Sequence, residues 1–296
     1  LTWPVAVVGW VTSMVQRAAA SQKRINEFLS IQPEIVSPTP VHTEIHGDIE
    51  FQNVNFTYPD SGTEALKNVS FKVKQGQSLA ITGRTGAGKS TIAQLIARLY
   101  DADSGTILID QKSIRKINLH DLRKKIGFVH QDVFLFSDTI SNNIAFGSQV
   151  QDIDSNSIES AAKKAAIYDN IVKLNDGFET KIGERGVTLS GGQKQRISIA
   201  RALITDPQIL ILDDSLSAVD TKTEDEILGH LNTFMENRTT IIISHRISSI
   251  KHCDQIIVLD QGEIVEKGTH EEILNQDGLY RLLHDQQLLE NSEASL

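Results

Sequence analysis

The stretch Gly83-Arg84-Thr85-Gly86-Ala87-Gly88-Lys89-Ser90 constrains this chain more than any other. It fits G-x-x-x-x-G-K-[ST], a turn between a strand and a helix whose backbone N–H groups cradle phosphate. Ser78-Leu79-Ala80-Ile81 before it reads as the strand, and Ile92 to Leu99 after it as the helix. Glycines let the amides face an anion, and the positive end of a helix starting near Lys89 adds to the attraction. In such a loop Lys89 reaches the β- and γ-phosphates of a nucleotide, and the Ser90 hydroxyl binds Mg²⁺. Strand, loop and helix in this order commit the chain to an α/β core.

The composition agrees. With 296 residues, 40% hydrophobic and 23% charged, the chain holds either one large soluble α/β domain or two small ones. A formal charge of −9 argues against a nucleic-acid binder, which needs clustered Lys and Arg for phosphate contacts. The single cysteine, Cys253, excludes an intramolecular disulfide framework and fits a reducing compartment. It reads as a small buried hydrophobe beside a strand.

Along the chain, residues 1–30 stand apart. Leu1 to Val15 carries no charge but falls short of the about 20 apolar residues a bilayer crossing takes. Val15, Ala18, Ala19, Gln22, Ile25, Asn26 and Leu29 then recur at helical spacing among charged residues. This segment is expected to be the cytoplasmic end of a last transmembrane helix, and the absent initiator Met suggests the C-terminal piece of a longer chain. An amphipathic helix on a soluble protein is the alternative. Residues 31–46, with Pro33, Pro38 and Pro40, read as a linker. A domain is expected over 47–290, with 291–296 a tail.

That domain opens with period-two strands, Ile49 to Phe56 and Val69 to Val73. The apolar runs Ile209–Leu212, Thr239–Ile243 and Ile256–Leu259 suit buried parallel strands. From about Asp138 to Ala202 strands give way to helical patterns, which reads as an inserted helical subdomain. Asp260-Gln261-Gly262-Glu263 suits a hairpin, and Gly268-Thr269-His270-Glu271 a helix N-cap.

Further motifs follow the phosphate loop in order. Leu189-Ser190-Gly191-Gly192-Gln193 precedes a helical pattern running to about Leu203, and Ile209-Leu210-Ile211-Leu212-Asp213 is an apolar strand ending in a carboxylate. Gln131 follows Ile126-Gly127-Phe128-Val129-His130, Ser217-Ala218-Val219-Asp220 follows Asp213, and His245 follows Thr239–Ile243. Tyr58 sits in Phe56-Thr57-Tyr58-Pro59. Each has a dull reading alone: a surface Gln, a capping Asp, a core His, a strand Tyr. In this order and spacing, over roughly residues 47–290, they resemble the ATP-binding cassette (ABC) proteins.

The resemblance implies a P-loop NTPase core with an antiparallel β subdomain and an inserted helical subdomain. ATP would be held by Gly83, Arg84, Thr85, Gly86, Ala87, Gly88, Lys89, Ser90 and Thr91, with Tyr58 stacking on adenine. Mg²⁺ would be served by Ser90, Gln131 and Asp213, and His245 would sit near the γ-phosphate. The signature Leu189, Ser190, Gly191, Gly192 and Gln193 would act on ATP bound by a second cassette. The D-loop, Ser217, Ala218, Val219 and Asp220, would cross that interface. ATP thus becomes part of a dimer clamp, and hydrolysis opens it.

One residue departs from the family pattern. After the Asp213 position hydrolysing cassettes usually carry Glu, the base for the attacking water; here stands Asp214. One methylene less withdraws the carboxylate by roughly 1 Å, which can cost on the order of 10²-fold in rate. This implies a slow site of its own and, with an intact signature, the degenerate half of a heterodimeric exporter; a homodimer is the alternative. Gln131 to Ile140 resembles the exporter region that meets coupling helices, with Phe134, Leu135 and Phe136 as its apolar contact or as core. Ile182-Gly183-Glu184-Arg185-Gly186 resembles an exporter-specific loop.

The implied function is the cytoplasmic ATPase of a half-transporter in the cell membrane, fused to its own transmembrane domain and paired with a second half-transporter. The cargo would be a small molecule or lipid. A soluble ABC ATPase would instead carry a second cassette or a coiled-coil insertion. A regulatory ATP-binding module would turn over little ATP, and a P-loop kinase would leave the signature unexplained.

Overall fold

In the computed structural model, residues 2–148, 153–183, 188–216 and 221–293 are described. The chain divides into two compact units, residues 1–36 and 37–296. The first is dominated by one helix, α1 (Thr2–Ser30), whose Trp3, Val5, Val8, Trp10 and Phe28 are all exposed. No helix among the described residues is long and apolar enough to cross a membrane.

The second unit is built on a six-stranded sheet. Its order is β10 (Glu263–Gly268), β9 (Gln255–Asp260), β3 (Ser78–Gly83), β8 (Thr239–Ile243), β7 (Ile209–Asp213) and β6 (Ile126–Val129). All neighbours pair parallel except the β9–β10 hairpin. Its turn residues Gln261 and Gly262 both have positive φ, 47° and 87°, the geometry a two-residue hairpin turn requires. The runs read as buried strands are indeed buried on both faces, and alternate side chains enter two different cores. Leu79, Ile81, Ile209, Ile211, Ile241 and Ile243 face one; Ala80, Leu210, Leu212 and Ile242 face the other.

The first core is closed by α2 (Lys89–Ile96) and by an antiparallel sheet ordered β2 (Glu64–Val73), β1 (Ile49–Thr57), β4 (Ser104–Ile109), β5 (Lys112–Ser113). The second β1–β2 strand begins at Glu64, five residues before the expected Val69. The helix α2 ends at Ile96 rather than running on to Leu99, because Arg98 takes a left-handed φ of 49°. A short helix α3 (Leu119–Lys124) precedes β6.

The second core lies under the helical segment anticipated from Asp138 to Ala202. It holds α4 (Ile140–Ala145), α5 (Ser155–Lys164), α6 (Tyr168–Val172) and α7 (Gly191–Leu203), with Ile144, Ile158, Ala162 and Ile199 buried at the centre. After β7 come α8 (Thr221–Met235) and α9 (Ile247–Ile250), and after β10, α10 (His270–Leu274) and α11 (Leu279–Glu293). Thr269 caps α10 in a reciprocal capping box with Glu272. Residues 37–46, expected as linker, belong to this unit: Asp121 accepts from the Thr43 amide, and Asp110 from those of His46, Gly47 and Asp48. Cys253 is buried and free, its thiol pushed up to about 12 by desolvation.

Candidate nucleotide site

Four parallel strands end on one edge of the large sheet, and each delivers a motif there. β3 gives the loop, β7 gives Asp213 and Asp214, β8 gives Ser244 and His245, and β6 gives Gln131. The C-terminal edge is where open α/β sheets bind ligands. Thr85, Gly86, Gly88, Lys89, Ser90, Thr91, Gln131, Asp213, Asp214, His245 and Tyr58 line a cavity of about 420 Å³, joined by Ser61 and Thr63 from the β1–β2 connection and Ala65 from β2.

The loop needs its glycines at two places above all. Gly83 has φ 138°, and a Cβ there would lie 2.0 Å from the Leu259 carbonyl oxygen. Gly88, the N-cap of α2, has φ 96°, and a Cβ would lie 2.3 Å from the Ala65 carbonyl oxygen. β9 and β2 therefore press directly on the loop backbone, and only glycine passes.

Lys89 opens α2 and folds back over the loop, its Nζ donating to the carbonyls of Gly83 (3.0 Å) and Arg84 (2.8 Å). It is 6% exposed. Burial pulls its pKa down to about 8, while the carboxylates of Asp214 and Asp213 pull the other way. The ammonium thus spans two neutral carbonyls in a cavity open to a ligand, a position that favours an incoming polyanion.

Ser90 Oγ donates to Asp213 Oδ1 at 3.0 Å. Asp213 is buried, and its pKa is raised, by desolvation first, with the Ser90 bond opposing. A hydroxyl and a carboxylate oxygen brought together this way form a hard-oxygen pair that suits Mg²⁺ sharing its shell with phosphate oxygens and water. Among the described residues no group of three or more His, Cys, Asp and Glu is arranged to hold a metal ion by itself.

Asp214 stands with φ 45°, a left-handed conformation that Asp tolerates better than most residues. Its amide donates to the Ile243 carbonyl at 2.8 Å, which ties β7's exit to β8. Its Oδ2 accepts from Gln131 Nε2 at 3.4 Å, a long contact. His245 completes the group; its pKa is held down by desolvation, then by the Lys89 charge, against a smaller pull from Asp214.

Tyr58 has its ring edge against Phe56 and Tyr100, at 5.0 and 5.5 Å between centroids. Its hydroxyl is 2.9 Å from Thr91 Oγ1 and donates to Gln94 Oε1 at 2.9 Å. Gln94 escaped the sequence reading, although it sits one helical turn after Thr91, on the same face.

The signature is elsewhere. Ser190 is the N-cap of α7: its Oγ accepts from the Gln193 amide at 3.2 Å, and Gln193 Oε1 accepts from the Ser190 amide at 2.9 Å. Ser190 and Gly191 are exposed, while Leu189 and Gly192 are buried. The first turn of a 13-residue helix therefore presents free amides and a positive dipole end. None of Leu189, Ser190, Gly191, Gly192 and Gln193 lines the cavity around Lys89. The D-loop residues Ser217, Ala218, Val219 and Asp220, and Glu184, Arg185 and Gly186 of the exporter-like loop, lie outside the described residues.

A larger groove of about 1050 Å³ runs between α3, β6 and α7, with Leu119, Arg123, Phe128, Phe146, Arg201 and Ile204 among its walls. Arg201 organises its rim, donating to Asn143 O (2.8 Å), Asn143 Oδ1 (2.8 Å) and Phe134 O (2.9 Å) and lying over the rings of Phe136 and Phe146. Phe134 is 67% exposed, so it is not core; Leu135 packs on the helical core. Phe146 and Arg201 lacked any local sequence signal, since only the fold brings them together.

Comparison with known proteins agrees with this geometry. The ABC transporter family model matches residues 66–217. A probable multidrug resistance ABC transporter ATP-binding/permease protein of Bacillus subtilis, YheI, is 44% identical over 99% of this chain and 50% of its own length. The ATP-dependent lipid A-core flippase of Salmonella typhimurium is 45% identical over 94% of this chain and 47% of its own. A bacterial Atm1-family ABC exporter solved with ATP bound superposes with a TM-score of 0.89 at 40% identity, covering 96% of this chain and 50% of that one. The chain belongs to the ABC transporter family and is an ATP-binding cassette of the exporter type, with the α/β cassette fold. It spans about half the length of the curated relatives it matches.

Proposed function

We propose that this cassette binds Mg·ATP in the cavity around Lys89 and couples ATP-driven dimerisation and hydrolysis to export across a membrane. The convergence of Lys89, Ser90, Asp213, Asp214, Gln131 and His245 at the edge of four parallel strands carries this reading. The loop amides from Gly83 to Ser90 hold the phosphates, with Lys89 on the β- and γ-phosphates and Thr91 beside the α-phosphate. Ser90, Asp213 and Gln131 serve Mg²⁺, which when bound supplies charge neutralisation on the phosphates. Tyr58 stacks on adenine. His245 holds the γ-phosphate, Gln131 orients the water, and Asp214 is its base.

The separation of the signature from this cavity supports a two-cassette clamp. Gly191 and Gly192 offer helix amides, and Ser190 its hydroxyl, to the γ-phosphate bound by a partner, with Leu189 and Gln193 fixing the turn. The partner is a second half-transporter, non-identical rather than identical, because Asp214 leaves this chain's own site slow while its signature is whole.

Residues 1–30 form the cytoplasmic end of a transmembrane helix and 31–36 connect it to the cassette, which takes in 37–46 and lies on the cytoplasmic face of the cell membrane. The groove beside Phe134, Phe136 and Phe146 receives the coupling segments of the transmembrane domain. The cargo is a small molecule or lipid, a reading supported by the names of the multidrug resistance and lipid A-core flippase relatives. Phosphate release from Mg·ATP by the purified cassette alone tests the reading: it should vanish in Lys89→Ala and in Ser190→Arg, both still folded. Turnover retained in Lys89→Ala would sink it.

A further inference from the structure

The peptide that carries His245 leaves β8 without a strand or helix to hold it. On one side it is anchored by Glu224 of α8, which is 1% exposed. Glu224 accepts from Arg246 Nη1 at 2.7 Å and from the Ser249 hydroxyl. On the other side a single side chain, Gln287 of α11, takes two backbone groups at once. Its Nε2 donates to the His245 carbonyl at 2.5 Å, and its Oε1 accepts from the Ile247 amide at 2.9 Å. A carboxamide alone, among side chains of this length, sets a donor and an acceptor side by side in one plane. The helix bearing it is itself fixed: Tyr280 is fully buried, its hydroxyl lies 2.8 Å from His270 Nδ1, and its amide is capped by Glu266.

We infer that Gln287 is a positioning residue for the ATPase site, setting the place of the His245 imidazole through the two backbone bonds it makes to the 245–247 peptide. The docking of α11 thereby controls turnover from outside the nucleotide cavity. Gln287 lines no part of that cavity, so its effect runs through His245 and not through ATP. The inference rests on the reading of His245 as the group facing the γ-phosphate.

The test is ATP turnover and histidine NMR on the full chain, comparing wild type, Gln287→Ala, Gln287→Glu and, as a control, the exposed neighbour variant Gln286→Ala. Gln287→Ala should lower kcat roughly ten-fold, with KM for Mg·ATP changed less than about two-fold, the signature of a displaced group rather than lost binding. The His245 ring resonance should move in the same variant, and Gln286→Ala should match wild type in every readout. Gln287→Glu keeps the acceptor for Ile247 but sets an oxygen against the His245 carbonyl, so it should fall with Ala. It also carries the test should the Ala variant not fold. Wild-type kcat and an unmoved His245 resonance in both Gln287 variants would overturn the inference. Wild-type turnover in His245→Ala would instead sink the role given to His245, while the resonance still reports whether Gln287 positions it.

Discussion

Lys89 carries both halves of the site's electrostatics: its charge attracts phosphate, and its burial makes that charge expensive. With a folded pKa near 8 against the ordinary 10.5, the unliganded loop loses its proton as pH climbs through 8. Mg·ATP affinity should therefore stay level below about pH 7 and fall above pH 8, by at most about ten-fold per pH unit. Isothermal titration from pH 7 to 9.5 checks this, and Lys89→Arg, charged throughout, should flatten the slope. The same lowered pKa has a stability sign: between pH 8 and 10.5 the unfolded lysine holds a proton that the folded one has released. The unliganded chain thus gains stability across that window from this group. Asp214 is the second decisive residue. Its carboxylate meets Gln131 at 3.4 Å from a left-handed backbone, so lengthening it to Glu brings an oxygen further into the cavity at the cost of a less tolerant residue in that conformation. Asp214 as the departure from the family pattern was visible in the sequence; its left-handed φ was not, because Asp-Asp-Ser carries no turn signal for it.

At the scale of elements, the parallel strands were the easiest to read, since Ile209–Leu212, Thr239–Ile243 and Ile256–Leu259 are buried on both faces and their apolar runs are uninterrupted. What stayed hidden was their consequence: period-two division of one sheet between two cores, which only the packing of α2 on one side and α4 to α8 on the other creates. The start of β2 at Glu64 was missed because its first half alternates weakly, and its pairing with β1 supplies the order that its own pattern lacks. Arg201 and Phe146, 55 residues apart in sequence, could not be joined by any local rule. Gly83→Ala forces a Cβ to 2.0 Å from the Leu259 carbonyl, and should cost about 3 kcal/mol or more, read by urea denaturation. Thr269→Ala removes the α10 capping box and should cost about 1 kcal/mol in the same assay, leaving ATP binding unchanged.

Among its described residues the molecule places the cavity around Lys89 on one element set and the N-terminal end of α7 on another. That division is the physical case for a clamp made from two cassettes. On the proposed clamp, a cassette whose base is one methylene short would still keep its signature, because the helix end at Ser190 would serve the partner's nucleotide. The clamp makes mass action part of the mechanism, so turnover per cassette should rise with protein concentration until dimers saturate. If the groove rimmed by Phe134, Phe136 and Phe146 transmits that closure as proposed, Arg201→Ala, which frees its rim, should uncouple transport from ATP turnover in vesicles holding the full-length transporter while leaving nucleotide affinity unchanged. The most direct measurement of the whole account is steady-state ATP turnover of the cassette and of its Asp214→Glu variant across a concentration series. A gain of order 10²-fold with Glu and a rate per cassette that climbs with concentration are expected. Equal rates, unchanged by dilution, would contradict both the slow site and the clamp.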